Sequence, residues 1–300
     1  MKMREFWAIV ELRTKTVSLT SLGLGLILLF KTPQTDISWT AVVLFSMALF
    51  LLDMGTTAFN TFFDYWRGTD RRELNFEADK VLLHQGTPPG AAFIIALALF
   101  AGAGLLGVGL IWLRGLTMAF FGGLGMLVGF AYSGGRRPLS GSPWGELFAG
   151  IFLGGLVINL VYFAGTGFFT WAVLRLSLPS TAMVAALLAV NHACDRVTDQ
   201  LAGRRTLAVL LGSKAPGAPL VLGALAWGLS FFVLGAGLTL IPLLLLVLGT
   251  LIAGTEAYRM GQRGFSPRSK GPQMGAMVRQ LTFFTLTYAL VLVFQAPASY

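Results

Sequence analysis

The chain has 300 residues, of which 55% are hydrophobic and only 12% charged, and it carries a net charge of +9. A soluble domain of this length carries about twice that charged fraction, so composition and a mean hydropathy of +0.74 exclude a water-soluble globular protein. The single cysteine, Cys194, excludes an intramolecular disulfide, and two histidines, His84 and His192, are too few for a histidine-rich metal centre.

Apolar runs long enough to cross a hydrocarbon core of about 30 Å recur along the whole sequence. The first, Val17–Phe30, follows Arg13 and Lys15 and is read as a retained helix, because KTPQTD and no small-x-small cleavage site comes next. In chain order the predicted spans cover roughly 14–32, 38–63, 90–113, 115–133, 145–165, 177–193, 218–237, 239–256 and 277–296. The first and sixth are short, so eight spans is the alternative count. Glycine pairs four apart, such as Gly125/Gly129 and Gly150/Gly154, suit close helix packing in lipid. The expected fold is an all-α polytopic membrane bundle of about nine helices forming a single domain over 1–300, with larger loops at about 64–89 and 195–217.

The basic residues test this layout. With the N-terminus cytoplasmic, all but Lys31, Arg114 and Arg175 of the 22 lysines and arginines fall on the cytoplasmic side. A missed span would scramble every later loop, so the asymmetry supports both the count and the orientation. The +9 charge then reflects topology and gives no reason to expect nucleic-acid binding.

Two polar clusters interrupt the apolar pattern, NTFFDYWRGTD at 60–70 and NHACDRVTDQLAGRRT at 191–206. Both have an asparagine four residues before an aspartate, followed by another aspartate. Together they hold four of the chain's seven aspartates and two of its four asparagines. The i, i+4 spacing places Asn60 with Asp64, and Asn191 with Asp195 and Asp199, each set on one helix face. A lone cluster reads as a solvated helix end. Two matching clusters on one side, four spans apart, suggest two related four-helix halves plus one helix.

Clustered carboxylates and amide oxygens are hard ligands. Mg2+ takes one or two carboxylates per site and keeps waters and phosphate oxygens as its other ligands. Two facing clusters, with Arg67, Arg71, Arg136, Arg137, Arg204 and Arg205 on the same side, suit a diphosphate, although some of these arginines serve topology alone. A diphosphate held at the mouth of an apolar bundle implies a substrate with a polar head and a greasy tail. Cleavage of an allylic diphosphate leaves a carbocation, which aromatic faces such as Phe62 and Phe63 could stabilise; Tyr65 and Trp66 read more simply as interfacial anchors.

At these clusters the sequence resembles the UbiA superfamily of intramembrane prenyltransferases. The segment 60–70 is similar to that family's first Asp-rich motif and NHACDRVTDQLAGRRTLAVLLG at 191–212 to its second. The segments ELRTKTVSL at 11–19 and YSGGRRPLSGSPWGE at 132–146 resemble the 1,4-dihydroxy-2-naphthoate polyprenyltransferase branch. The resemblance implies a nine-helix bundle with a cavity opening to the cytoplasm of a bacterial or archaeal cell, and Mg2+-dependent transfer of a prenyl group from a polyprenyl diphosphate to an aromatic acceptor. It makes Asn60, Asp64, Asp70, Asp195 and Asp199 the metal ligands, with Asp64 and Asp195 catalytic. Asn191, Arg67, Tyr132, Arg137 and Arg205 become diphosphate contacts. Thr61, His192 and Cys194 depart from the family pattern, and the last two leave the acceptor's identity open. Acceptors based on 4-hydroxybenzoate, homogentisate, chlorophyllide, heme or glycerol phosphate are the alternatives.

Five further residues stand out. Asp53 lies about 10 Å deeper than Asn60 by helical rise; it could orient or deprotonate a phenolic acceptor, or be a neutral carboxyl bonded to a neighbouring helix. Asn159 reads as an interhelical hydrogen bond, His84 as a surface residue, His192 as a helix cap or a proton shuttle, and Glu146 as the first turn of a helix begun by Ser142 and Pro143. A different class of protein, a cation-coupled secondary transporter, would use Asp53 and the carboxylates as ion sites, but such sites sit at the bilayer midplane in broken helices. A non-catalytic lipid-diphosphate carrier would not need the metal-type cluster.

Overall fold

The computed structural model describes residues 3–32, 36–69, 80–235 and 238–295. Among them every regular element is helical. In chain order these are α1 (Met3–Ile9), α2 (Thr16–Phe30), α3 (Trp39–Trp66), α4 (Val81–His84), α5 (Pro89–Arg114), α6 (Leu116–Ser133), α7 (Gly145–Thr166), α8 (Trp171–Leu201), α9 (Leu207–Leu211), α10 (Gly217–Leu234), α11 (Leu240–Arg263) and α12 (Lys270–Phe294). Eight of them, α3, α5 to α8 and α10 to α12, are long and apolar enough to cross a membrane. The ninth apolar helix, α2, has 15 residues, about 22 Å at the α-helical rise.

The expected boundaries differ most where polar residues continue a helix beyond its apolar stretch. The sixth span was expected to stop at 193. Instead α8 has 31 residues and carries Asp195 and Asp199 within its last turns. The last span was expected to start at 277, but α12 begins at Lys270. Both extensions bring charged residues to one end of the bundle.

The same packing relation occurs twice. Each helix that carries a polar cluster packs extensively on the long helix that follows it, α3 on α5 and α8 on α10. This repetition accords with two related halves. α2 packs against α7 and α12, joining the halves. α7 approaches α8 so closely that a Cβ at Gly150 would lie 2.6 Å from Thr181 O, and one at Gly154 would lie 2.8 Å from Ser180 O. Gly150–Leu156 is a π-helical stretch within α7, and Pro179 interrupts the hydrogen-bond ladder of α8 at the facing level.

At the end away from the clusters, basic side chains cap neighbouring helices. Arg114 donates to Ala164 O and Gly165 O, each at 2.7 Å, at the C-terminus of α7. Lys31 donates to Leu292 O at 2.5 Å and Gln295 O at 2.6 Å, at the C-terminus of α12. These carbonyls have no acceptor role inside their own helices, so a cation there satisfies both the hydrogen bond and the helix dipole.

Candidate active site

A cavity of about 1420 Å³ runs through the bundle and joins both polar clusters. Asn60 and Asp64 reach it from α3, Tyr132 from α6, and Asn191, Asp195 and Asp199 from α8. The i, i+4 spacing read from the sequence therefore puts each set on one wall. Its deeper walls are apolar, with Phe45, Phe121, Phe148 and Phe152 among them. The long helices carry the acidic groups where their apolar stretches end, so the charged mouth and the greasy interior follow from one pattern.

Cations meet the carboxylates at the mouth. Arg204 Nη1 lies 3.1 Å from Asp199 Oδ1, and Arg204 Nη2 donates to Ser140 O at 2.6 Å. Thr206 donates to the second Asp199 oxygen at 3.1 Å while its own hydroxyl oxygen caps α9. Lys270 Nζ sits 2.8 Å from Asp195 Oδ2. Burial pushes the Arg204 guanidinium down, but Asp199, Asp64, Tyr132 and Asp195 together outweigh it, and its pKa rises above the ordinary arginine value. Arg204 is thus held charged among the acids.

The arginine assignment needs correcting. Arg137 and Arg205, expected at the diphosphate, are exposed and do not line the cavity. Gly203 turns the chain with φ +72. Beyond that turn Arg204 pairs with Asp199 while Arg205 is exposed, its N–H bonded to Gly141 O at 3.0 Å. Lys270 was not anticipated at all. Arg67 is half-buried beside the mouth but is not part of the cavity wall. It donates to Gly135 O at 2.8 Å and lies 4.9 Å from the centre of the Phe63 ring. Burial lowers its pKa, Asp64 opposes the shift, and Arg204 adds to it.

The aromatic expectation also changes. Phe62 and Phe63 do not line the cavity. They pack between α3, α5 and α6, Phe62 tilted against Phe93 and Phe63 edge-on to Phe130, because that face of α3 is covered by its neighbours. Tyr65 and Trp66 are exposed, 38% and 70% accessible, as interfacial anchors are.

Asn60 Oδ1 accepts a 2.9 Å hydrogen bond from Ser133, which fixes the amide at the wall. Asp70 and Arg71 lie outside the described residues. Deep in the cavity Asp53 is not alone. Its Oδ1 is 2.7 Å from Lys15 Nζ, and Ser18 donates to its Oδ2 at 2.6 Å. Lys15, assigned to topology from the sequence, is therefore a buried ion-pair partner.

Asn159 bridges as expected, donating to Gly155 O at 2.9 Å and to Ser177 Oγ at 3.0 Å. His84 is exposed. Glu146 is not a simple helix-start residue: it is buried, and its Oε1 is 2.8 Å from His192 Nδ1. The helix starts at Gly145, with Ser142 Oγ accepting the Trp144 N–H at 3.2 Å.

Among the described residues no three acidic, histidine or cysteine side chains already converge into a metal-sized group. The donors are nonetheless of the right type for a hard cation, since carboxylate and amide oxygens from α3 and α8 face one space and no thiolate competes at the mouth.

Comparison with known proteins bears on this arrangement. The family model described as the UbiA prenyltransferase family matches residues 19–270. The 1,4-dihydroxy-2-naphthoate octaprenyltransferase of Bacillus subtilis is 31% identical over 208 residues, covering 69% of this chain and 66% of that protein. UbiA prenyltransferase domain-containing protein 1 of Gallus gallus is 27% identical over 155 residues, covering 51% of this chain and 46% of that one. The chain thus spans about half to two thirds of the length of these curated relatives. A UbiA homolog from Archaeoglobus fulgidus, solved bound to GPP and Mg2+, superposes with a TM-score of 0.64 over 96% of this chain and 99% of that one at 16% identity, a likeness of fold.

Proposed function

As the chain belongs to the UbiA prenyltransferase family, we propose that this integral membrane protein transfers a prenyl group from a polyprenyl diphosphate to an aromatic acceptor. The preferred acceptor is 1,4-dihydroxy-2-naphthoate, on the pathway to menaquinone, which the 31% identity to the Bacillus subtilis enzyme favours. The Lys/Arg asymmetry supports a cell membrane location with the mouth at the cytoplasmic face. One observation carries the reading: acidic groups from α3 and α8 line the charged end of one apolar cavity together with Arg204 and Lys270.

Asn60, Asp64, Asp70, Asp195 and Asp199 would hold Mg2+, with Asn191 beside them. The bound metal would neutralise charge developing on the leaving diphosphate. Arg204 and Lys270, which now pair with Asp199 and Asp195, would turn toward phosphate oxygens as those carboxylates take up metal. Arg67 and Tyr132 would complete the head-group contacts. The C1–O bond of the prenyl diphosphate breaks, its electron pair leaves with the diphosphate, and a ring carbon of the acceptor bonds to C1. The apolar walls exclude water, which would otherwise capture the allylic cation. Phe148 and Phe152, stacked at 6.1 Å, offer aromatic faces within that space.

The test is turnover by purified protein with Mg2+, labelled geranylgeranyl or farnesyl diphosphate, and a panel of aromatic acceptors including 1,4-dihydroxy-2-naphthoate. Prenylated naphthoate that vanishes with EDTA is the expected result. Product from a different acceptor would retain the chemistry and overturn the naphthoate assignment. Failure to bind the prenyl diphosphate would overturn the reading altogether.

A further inference from the structure

Glu146 and His192 form a buried pair that metal and diphosphate binding leave unused. Glu146 opens α7 and His192 lies on α8. Their side chains are 5% and 3% exposed, and the carboxylate meets Nδ1 of the ring at 2.8 Å. Gly145 permits the approach, since a Cβ there would lie 3.2 Å from His192 Cε1 and 3.3 Å from Leu139 O. His192 lines the cavity and Glu146 does not, so the acid stands behind the ring.

This order determines the tautomer. With Nδ1 facing a carboxylate, the ring proton sits on Nδ1, and Nε2 presents a lone pair. A carboxylate behind a histidine holds the ring's orientation and stabilises the imidazolium that forms when Nε2 takes a proton. The second Glu146 oxygen, Oε2, is buried with no hydrogen-bond partner. A buried carboxylate with half its acceptors unmet gains from a neighbouring positive charge. The other titratable or charged groups of the cavity mouth that His192 shares are Asp195 and Asp199 on α8, Tyr132 on α6, Asp64 on α3, Arg204 in the loop after α8 and Lys270 on α12, all of which line the same cavity.

Resting on the aromatic-acceptor reading above, we propose that His192 is a catalytic residue whose Nε2 binds the acceptor's hydroxyl and takes its proton during prenyl transfer. As the prenyl C1–O bond breaks and the ring carbon bonds to C1, the hydroxyl proton passes to Nε2. The products of that step are diphosphate, an imidazolium and a neutral prenylated dienone. The dienone regains aromaticity by moving its own ring hydrogen to the oxygen. Glu146 is the positioning residue, acting through the histidine.

The experiment compares wild type with His192→Gln and Glu146→Gln in lipid nanodiscs, measuring prenyl diphosphate affinity with Mg2+, acceptor KM and kcat. His192→Gln is expected to keep the diphosphate affinity within about twofold and to lower kcat by about 100-fold or more, as loss of a general base does. Glu146→Gln keeps a hydrogen-bonding group but not the charge. It is expected to lose about tenfold in kcat while acceptor KM and diphosphate affinity stay within about twofold, a split that a merely structural role would not give. Unchanged kcat in His192→Gln overturns the proposal. So does a parallel loss of diphosphate affinity, which would mark a structural role, with Glu146→Gln reporting independently if His192→Gln misfolds. Wild-type protein that binds the diphosphate but prenylates no aromatic acceptor overturns the functional reading as well, an outcome distinct from the other two.

Discussion

Lys15 and Asp53 meet 2.7 Å apart between α2 and α3, with side chains only 9% and 8% exposed. The lysine also donates to Thr57 Oγ1 at 3.1 Å, and Ser18 holds the other carboxylate oxygen. Breaking such a pair by removing one partner leaves an uncompensated buried charge and costs about 3–5 kcal/mol, whereas replacing both by apolar groups can be neutral. Lys15→Met and Asp53→Leu should each lower the thermal midpoint of the purified protein. The double variant should recover much of the loss. A double variant as unstable as the sum of the singles would show that the two residues act separately.

Arg204 and Arg205 are adjacent, yet only Arg204 faces the acids. A charge-assisted hydrogen bond contributes about 1.5–3 kcal/mol, so Arg204→Ala should reduce kcat/KM for the prenyl diphosphate by about 10- to 150-fold. Arg205→Ala should stay within twofold. Steady-state kinetics on both variants decides the assignment, and equal losses would return Arg205 to the site.

Metal dependence separates the two clusters from ordinary solvated helix ends. Asp64→Asn and Asp195→Asn keep the shape of the side chain but remove its charge. Each should lower turnover by at least about 100-fold, as loss of a transition-state charge stabiliser does. EDTA should abolish wild-type activity, and added Mg2+ should restore it. Activity that persists after exhaustive chelation would remove these aspartates from the metal site.

The α7–α8 contact admits no side chain at Gly150. A Cβ there would lie 2.6 Å from a backbone carbonyl that cannot rotate away. Gly150→Val should therefore cost about 1–3 kcal/mol through overpacking and lower the thermal midpoint. Gly228→Ala, with nothing within 4 Å of the new Cβ, should leave the midpoint unchanged or raised. Equal behaviour of the two variants would contradict the close approach.

Much of this was legible in the sequence. Apolar runs, glycine spacings and the matched Asn–Asp patterns located the long helices and the two walls of the cavity, because a bilayer forces local pattern to match local structure. The misses share a physical cause. Hydropathy ends a helix where polarity begins, so the last turns of α8 and the first turns of α12, with Lys270, lay beyond the expected spans. Which of two adjacent arginines turns inward depends on the turn at Gly203 and on the pairing with Asp199, five residues back, information that composition and hydropathy do not hold. Glu146 looked like a helix-start residue because nothing in its own segment points to His192, 46 residues away. Lys15 looked like a topological charge because its partner lies on the next helix.

Lys31 anchors the end of α2 to carbonyls at the end of α12, and the two helices pack along each other. The first and last long apolar stretches of the described chain, α2 and α12, are therefore neighbours. Lys31 precedes Leu292 by 261 residues, so during synthesis its cation meets that carbonyl only after α12 has been made. The chamber lacks part of its wall, and the acid Asp195 lacks Lys270, through that whole interval. A chain shortened before α12 would therefore lack both the lysine beside Asp195 and the α12 side of the cavity wall.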